Sequence, residues 1–159
     1  MNLVLIGMMG CGKSTCGRLL AQRLGRELVD TDLLIQQQQG RTIPDIFARE
    51  GEAYFRDLEA QAVAEVSQRT GLVIATGGGA ILREENVRHL RQNGRLYFLD
   101  RPVEDIAPTD DRPLSRDREA LQRRYEERYT RYTVTADTII PVRGAADEVA
   151  KAIREEFLI

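Results

Sequence analysis

Gly7-Met8-Met9-Gly10-Cys11-Gly12-Lys13-Ser14 follows the apolar run Leu3-Val4-Leu5-Ile6 and precedes a helical pattern with Cys16, Leu19, Leu20 and Leu24 on one face. Glycine, glycine, lysine and serine stand at every fixed position of G-x-x-x-x-G-K-[ST]. Strand, glycine loop and helix in that order make a phosphate-binding loop, in which backbone N–H groups and the positive end of the helix surround a phosphate chain. Lys13 supplies a point charge to the β- and γ-phosphates, Ser14 offers a hydroxyl to Mg²⁺, and Gly10, Cys11, Gly12 and Thr15 complete the cradle. A tight turn that binds nothing is the competing reading, and composition weighs against it. Of 23 basic residues only Lys13 and Lys151 are lysines, so lysine stands in the loop of a chain that otherwise uses arginine. A compact ammonium fits among phosphates where a planar guanidinium does not.

Working outward, 159 residues suit a single domain over 1–159 with a real core. A net charge of −2 and a pI near 5.6 argue against a partner recognised through a basic surface, such as duplex nucleic acid or an anionic membrane. The apolar run after Met1 is too short for a signal peptide or a span. Cys11 and Cys16 fall in the loop and the helix after it, where a bridge would distort the phosphate site, so both are expected as reduced thiols in a cytoplasmic protein.

Four further apolar runs read as strands: Leu28-Val29, Leu72 to Thr76, Leu96 to Leu99 and Thr138 to Val142, the last with Pro141 marking an edge or the strand's end. Helical patterns lie between them: Leu33 to Gln39 closed by Gly40, a helix capped by Thr42 and ended by Gly51, then Glu52 to Gln68, Arg83 to Asn93 stopped by Gly94, Arg118 to Tyr132 and Ala145 to Phe157. Alternation of this kind predicts an α/β fold, a doubly wound five-stranded parallel sheet flanked by helices, with ligands at the carboxyl ends of the strands. Asp30 and Asp32 end the second strand and would face the loop, although Asp30 also reads as a helix cap. Gly77-Gly78-Gly79 ends the third strand and permits close approach of backbone to a ligand. No aspartate ends that strand, which leaves Asp30 for work near the metal. Arg56 lies one turn from Glu59 and by spacing is a surface ion pair. Arg128 shares an apolar face with Leu121, Tyr125 and Tyr132, so it needs an anion. Residues 101–117, rich in Pro, Asp and Arg, read as a mobile lid carrying Arg112.

A GTPase would show DxxG and NKxD, and neither occurs; an assembly ATPase would need an acid after its metal-side strand. A small-molecule kinase remains, with a phosphate loop, an acceptor pocket and an arginine-bearing lid. In the order Gly-x-x-x-x-Gly-Lys-Ser, Asp30-Thr31-Asp32, Phe55-Arg56-x-x-Glu59, Ala75-Thr76-Gly77-Gly78-Gly79, Asp111-Arg112-Pro113-Leu114 and Arg128-x-x-x-Tyr132, the chain from residue 1 to about 140 resembles the shikimate kinases. The resemblance implies a nucleoside monophosphate kinase-like P-loop fold and ATP-dependent phosphorylation of a shikimate hydroxyl, giving shikimate 3-phosphate and ADP in aromatic amino-acid (chorismate) biosynthesis. It implies that Asp32 orients the acceptor oxygen, that Arg56 and Arg128 hold the substrate carboxylate, and that Gly78, between Gly77 and Gly79, offers a backbone N–H. On the same basis Arg112 reaches the transferring phosphates and Asp30 holds the Mg²⁺ shell through water. Lys13, Asp32 and Arg112 are then the catalytic set, and a monomer meeting only shikimate and ATP is expected. One departure stands out: the chain between the fourth strand and Arg112 is shorter than the family pattern, and the arginine-threonine pair that flanks the adenine is missing. Arg143 is the candidate to cover the base.

Overall fold

The structure is a computed structural model, and it describes residues 1–106 and 118–159. Arg112 and residues 107–117 of the expected lid lie outside the described residues. The chain alternates β1 (Asn2–Ile6), α1 (Lys13–Leu24), β2 (Glu27–Asp30), α2 (Thr31–Gln39), α3 (Ile43–Glu50), α4 (Glu52–Ser67), β3 (Leu72–Ala75), α5 (Glu84–Gln92), β4 (Gly94–Asp100), α6 (Arg118–Thr135), β5 (Thr138–Pro141) and α7 (Ala146–Phe157). All strand pairs are parallel, in the order β2-β3-β1-β4-β5.

Why the central strands β1, β3 and β4 read as unbroken apolar runs follows from burial on both faces. Leu3 and Leu5 of β1, with Val73, Tyr97 and Leu99, pack on α1 and α7 through Cys16, Leu20, Val149 and Ile153. Val4 and Ile6, with Ile74, Leu96 and Phe98, pack on α4, α5 and α6 through Val63, Val87, Leu121 and Tyr132. A third cluster joins α2, α3 and α4 through Ile35, Ile46, Phe55 and Ala62. It braces the two helices that carry Asp32 and Arg56. β5 is an edge strand with Pro141 as its last residue, so the missing N–H costs no ladder bond.

Helix caps follow local chemistry. The Thr42 hydroxyl accepts from Asp45 N at 3.2 Å, and Gly25 and Gly40 end α1 and α2 in the left-handed conformation. Gly94 differs from its expected role. It does not stop α5, whose cap is Asn93; it opens β4 beside β1, where a Cβ would lie 2.6 Å from Leu90 O and 2.9 Å from Val4 Cγ2. The start of the expected lid differs as well. Val103–Asp105 forms a 3₁₀ turn behind Pro102, and Val103 and Ile106 are buried in the core, because these two apolar side chains gain more from the α6 side of the sheet than from water.

Candidate active site

Apart from Arg143, which follows β5, every predicted residue within the described segments falls at the carboxyl ends of β1, β2 and β3 or on the helices leaning over them. In the phosphate loop, Gly7 and Gly12 have φ of 147° and 101°, and a Cβ at Gly7 would lie 2.8 Å from Leu99 O. Only glycine serves both demands. Lys13, buried at 8 % exposure, donates from Nζ to Gly7 O at 2.5 Å and to Met8 O at 2.9 Å, which holds the ammonium inside the loop. Ser14 Oγ donates to Asp30 Oδ2 at 2.6 Å, while Asp30 Oδ1 accepts from Asp32 N and Leu33 N. The helix cap and the link to the loop are therefore two oxygens of one carboxylate.

A cleft of about 380 Å³ opens over this loop and is lined by Lys13, Ser14, Thr15, Asp30, Asp32 and Gly78, among others. Where Gly77 and Gly78 line it, three shielded polar atoms have no hydrogen-bond partner among the described residues: Asp32 Oδ1, which is itself in the lining, and behind the glycines Glu59 Oε2 and Arg128 Nη1. All three surround the glycine turn. A Cβ on Gly77 would lie 2.6 Å from Asp32 Oδ1 and 2.8 Å from Glu59 Oε2, one on Gly78 would lie 3.4 Å from Arg128 Nη1, and one on Gly79 would collide with the Arg56 guanidinium. The glycines are thus space for charged side chains, since none of the three has a φ that demands glycine. Gly77→Ala is accordingly expected to push Asp32 and Glu59 aside and to raise KM for the acceptor by about tenfold or more, with KM for the nucleotide unchanged. Steady-state kinetics in both substrates checks this.

Burial sets the electrostatics. Asp32 is pushed up to about 7, first by desolvation and then by the Glu59 and Asp30 carboxylates, against the pull of Lys13 and Arg56. Burial likewise raises Glu59, opposed by Arg56, and lowers Arg128. Arg56 is not the surface ion pair that its spacing suggested: its side chain is 11 % exposed and Nη1 donates at 2.9 Å to Glu59, which is 1 % exposed. Glu52 takes the outer edge of the same guanidinium at 3.3 Å. Arg128 is 2 % exposed, as its place on an apolar face required. Tyr132, one turn on, had no expected role; it stacks on Phe98 and donates its hydroxyl to Gly78 O at 2.5 Å, tying the glycine turn to α6.

A second cleft, of about 330 Å³, lies on the other side of the loop. Its walls are mixed, with Cys11, Cys16, Leu99, Val142 and Val149 beside Thr15, Arg101 and Asp105. Both cysteines are buried free thiols, and burial pushes Cys16 up to about 12. Val142 and Gly144 line this cleft, and Arg143 stands between them in the chain without being among its lining residues. Arg101, which had no expected role, lines both clefts. The available signal was its position directly after a strand's carboxyl end.

A phosphate loop at the switch point of a parallel sheet, beside a cluster of buried charges that keeps unpartnered polar atoms, defines a P-loop kinase of small molecules. The shikimate kinase family model matches residues 9–158. Shikimate kinase of Clostridium botulinum is 41 % identical over 97 % of this chain and 95 % of its own length, and that of Moorella thermoacetica is 44 % identical over 97 % and 92 %. The structure of shikimate kinase from Acinetobacter baumannii in complex with shikimate superimposes with a TM-score of 0.94 at 39 % identity, covering 99 % of this chain and 92 % of that one. For the Aquifex aeolicus enzyme the TM-score is 0.88 at 35 % identity, covering 99 % and 96 %. The chain belongs to the shikimate kinase family.

Proposed function

We propose that this chain transfers the γ-phosphoryl group of ATP to a hydroxyl of shikimate, giving shikimate 3-phosphate and ADP in aromatic amino-acid biosynthesis, with the residues of the two-walled cleft in the following roles. The observation that carries the reading is that the cleft of the Lys13 loop is walled by Asp32 and the glycine turn, around which the unpartnered oxygens and nitrogen of Asp32, Glu59 and Arg128 gather. Buried polar atoms without partners are costly, and a carboxylated polyol is a ligand that satisfies them. Arg56 and Arg128 hold the substrate carboxylate, and Gly78 supplies a backbone N–H. Asp32 accepts a hydrogen bond from the acceptor hydroxyl. As the hydroxyl oxygen forms its bond to the γ-phosphorus, the bond to the β,γ-bridging oxygen breaks, ADP leaves with that electron pair, and the hydroxyl proton passes to Asp32. A proton affinity near neutrality suits that carboxylate to the task. Lys13, with Arg112 from outside the described residues, neutralises charge on the transferring group, where positioning and electrostatics do most of the work.

The donors on this wall fit Mg²⁺: the Ser14 hydroxyl would be its ligand and Asp30, whose carboxylate lies 2.6 Å from that hydroxyl in the lining of the phosphate cleft, would hold its shell through water. When bound, it adds charge neutralisation at the phosphates. Both clefts are built within one chain, which supports action as a monomer. Two buried free thiols suit the reducing cytoplasm, and among the described residues no helix is long and apolar enough to cross a membrane.

An ADP-release assay across shikimate, gluconate and nucleoside monophosphates tests the acceptor: turnover with shikimate is expected, and turnover confined to another acceptor would overturn the reading. Arg56→Ala and Arg128→Ala should each weaken shikimate binding by about 2 kcal/mol or more, because a charge-assisted bond to the carboxylate is lost in a desolvated wall. ATP affinity should hardly change. Arg128→Ala is the cleaner variant, since Arg56→Ala also strands the buried Glu59. Calorimetry showing equal losses for both ligands would mean a folding defect instead.

A further inference from the structure

The two clefts meet at one side chain outside the loop. Among the described residues, those lining both are Gly12 and Thr15, which belong to the phosphate loop and its helix, and Arg101, which follows the last residue of β4. Arg101 is half-buried and firmly based. Val142 N donates to Asp100 O at 2.9 Å and the Tyr125 hydroxyl donates to Asp100 Oδ1 at 2.9 Å, so the strand end is tied to both β5 and α6. Arg101 Nη1 itself donates to Gly10 O at 3.2 Å, which draws the guanidinium against the phosphate loop. A guanidinium carries five N–H donors in a planar fork, and one bond to a carbonyl does not exhaust them.

A nucleoside triphosphate has a flat base at one end and an anionic chain at the other; the second cleft, with Leu99, Val142 and Val149 among its walls, suits the base, and the Lys13 cleft suits the phosphates. The part of the nucleotide that must cross the junction is the ribose with its adjoining phosphate. We propose that Arg101 is a nucleotide-binding residue of this kinase, set at the junction of the clefts to hold the α-phosphate that ATP and ADP share. The proposal rests on the nucleotide reading above. Because the α-phosphate is present before and after transfer and keeps its charge, Arg101 contributes uniform binding to ATP and ADP and little to the chemical step.

Arg101→Ala and Arg101→Lys decide it, with KM for ATP, the inhibition constant of ADP, KM for shikimate and kcat as readouts. For Arg101→Ala, KM for ATP and the inhibition constant of ADP are expected to rise together by about tenfold or more, the loss of a charge-assisted bond. KM for shikimate should stay put and kcat should hold within about threefold. Arg101→Lys, which keeps the charge and loses the fork, should recover part of the loss. Unchanged ATP and ADP constants would overturn the proposal. So would a collapse of kcat at constant KM, since that would mean Arg101 serves only to shape the loop through Gly10, and so would equal losses for ATP and shikimate. A native protein that binds ADP in calorimetry but does not turn over shikimate would overturn the acceptor reading alone, and the ADP affinities of the variants would still test Arg101.

Discussion

Asp32→Asn is expected to lower kcat by about 10² to 10⁴, because the variant keeps the shape of the acceptor wall and loses the proton acceptor. The pH dependence should change with it. Desolvation, Glu59 and Asp30 favour the protonated form and carry Asp32 up to about 7, so the charged base gains population only as pH rises through that value. In the native protein kcat/KM for shikimate should therefore climb about tenfold per pH unit below 7 and level off above it. In the saturated complex a hydroxyl donating to the charged form should move the limb of kcat to lower pH. Stability should run the other way. Between the ordinary carboxylate range and 7 the folded state holds a proton that the unfolded chain has released, so stability falls as pH rises through this window. Asp32→Asn removes that loss, and at pH 8 it should melt later in urea than the native protein, by an amount on the order of a few kcal/mol. Activity that stays flat from pH 5.5 to 8 would contradict the assignment.

Lys13→Ala should lose several kcal/mol of transition-state stabilisation, roughly a thousandfold or more in kcat, while the chain remains folded. The expectation of folding rests on the small local cost: Gly7 O and Met8 O each lose one donor, and the core clusters on both faces of the sheet are left intact. Lys13→Arg should not restore turnover. The ammonium lies 2.5 and 2.9 Å from two carbonyls inside a glycine turn, and a planar fork needs more room than that turn provides. Circular dichroism melts beside single-turnover rates check both statements. Near-native turnover in either variant would remove Lys13 from the mechanism.

Local signals carried much of the architecture. The five apolar runs became the five parallel strands; for β1, β3 and β4 burial on both faces demands unbroken apolar sequence, while β2 and β5 are the partly exposed edges. The phosphate loop was legible because its glycines, lysine and serine act through backbone geometry within eight residues. Asp30 was legible for the same reason, its cap and its place at a strand end both being short-range facts.

Tertiary structure decided what depends on neighbours distant in the chain. Spacing placed Arg56 and Glu59 on a helix surface; the third core cluster and the glycine turn bury them instead. Nothing in the run Pro102 to Ile106 announced packing, since two apolar residues among charges show no period, and it is α6 and the sheet that receive them. Asp32 owes its affinity for a proton first to burial and then to Glu59, and Arg101 owes its place to the separation of two clefts by the loop. The sequence by itself thus determined the sheet, the loop and the chemical kind of each site residue. The strand order β2-β3-β1-β4-β5 decided which of those residues share a cleft and which charges are left unpartnered, because solvation and Coulomb energies depend on what the folded chain brings within a few ångströms, a distance that short-range periodicity does not encode.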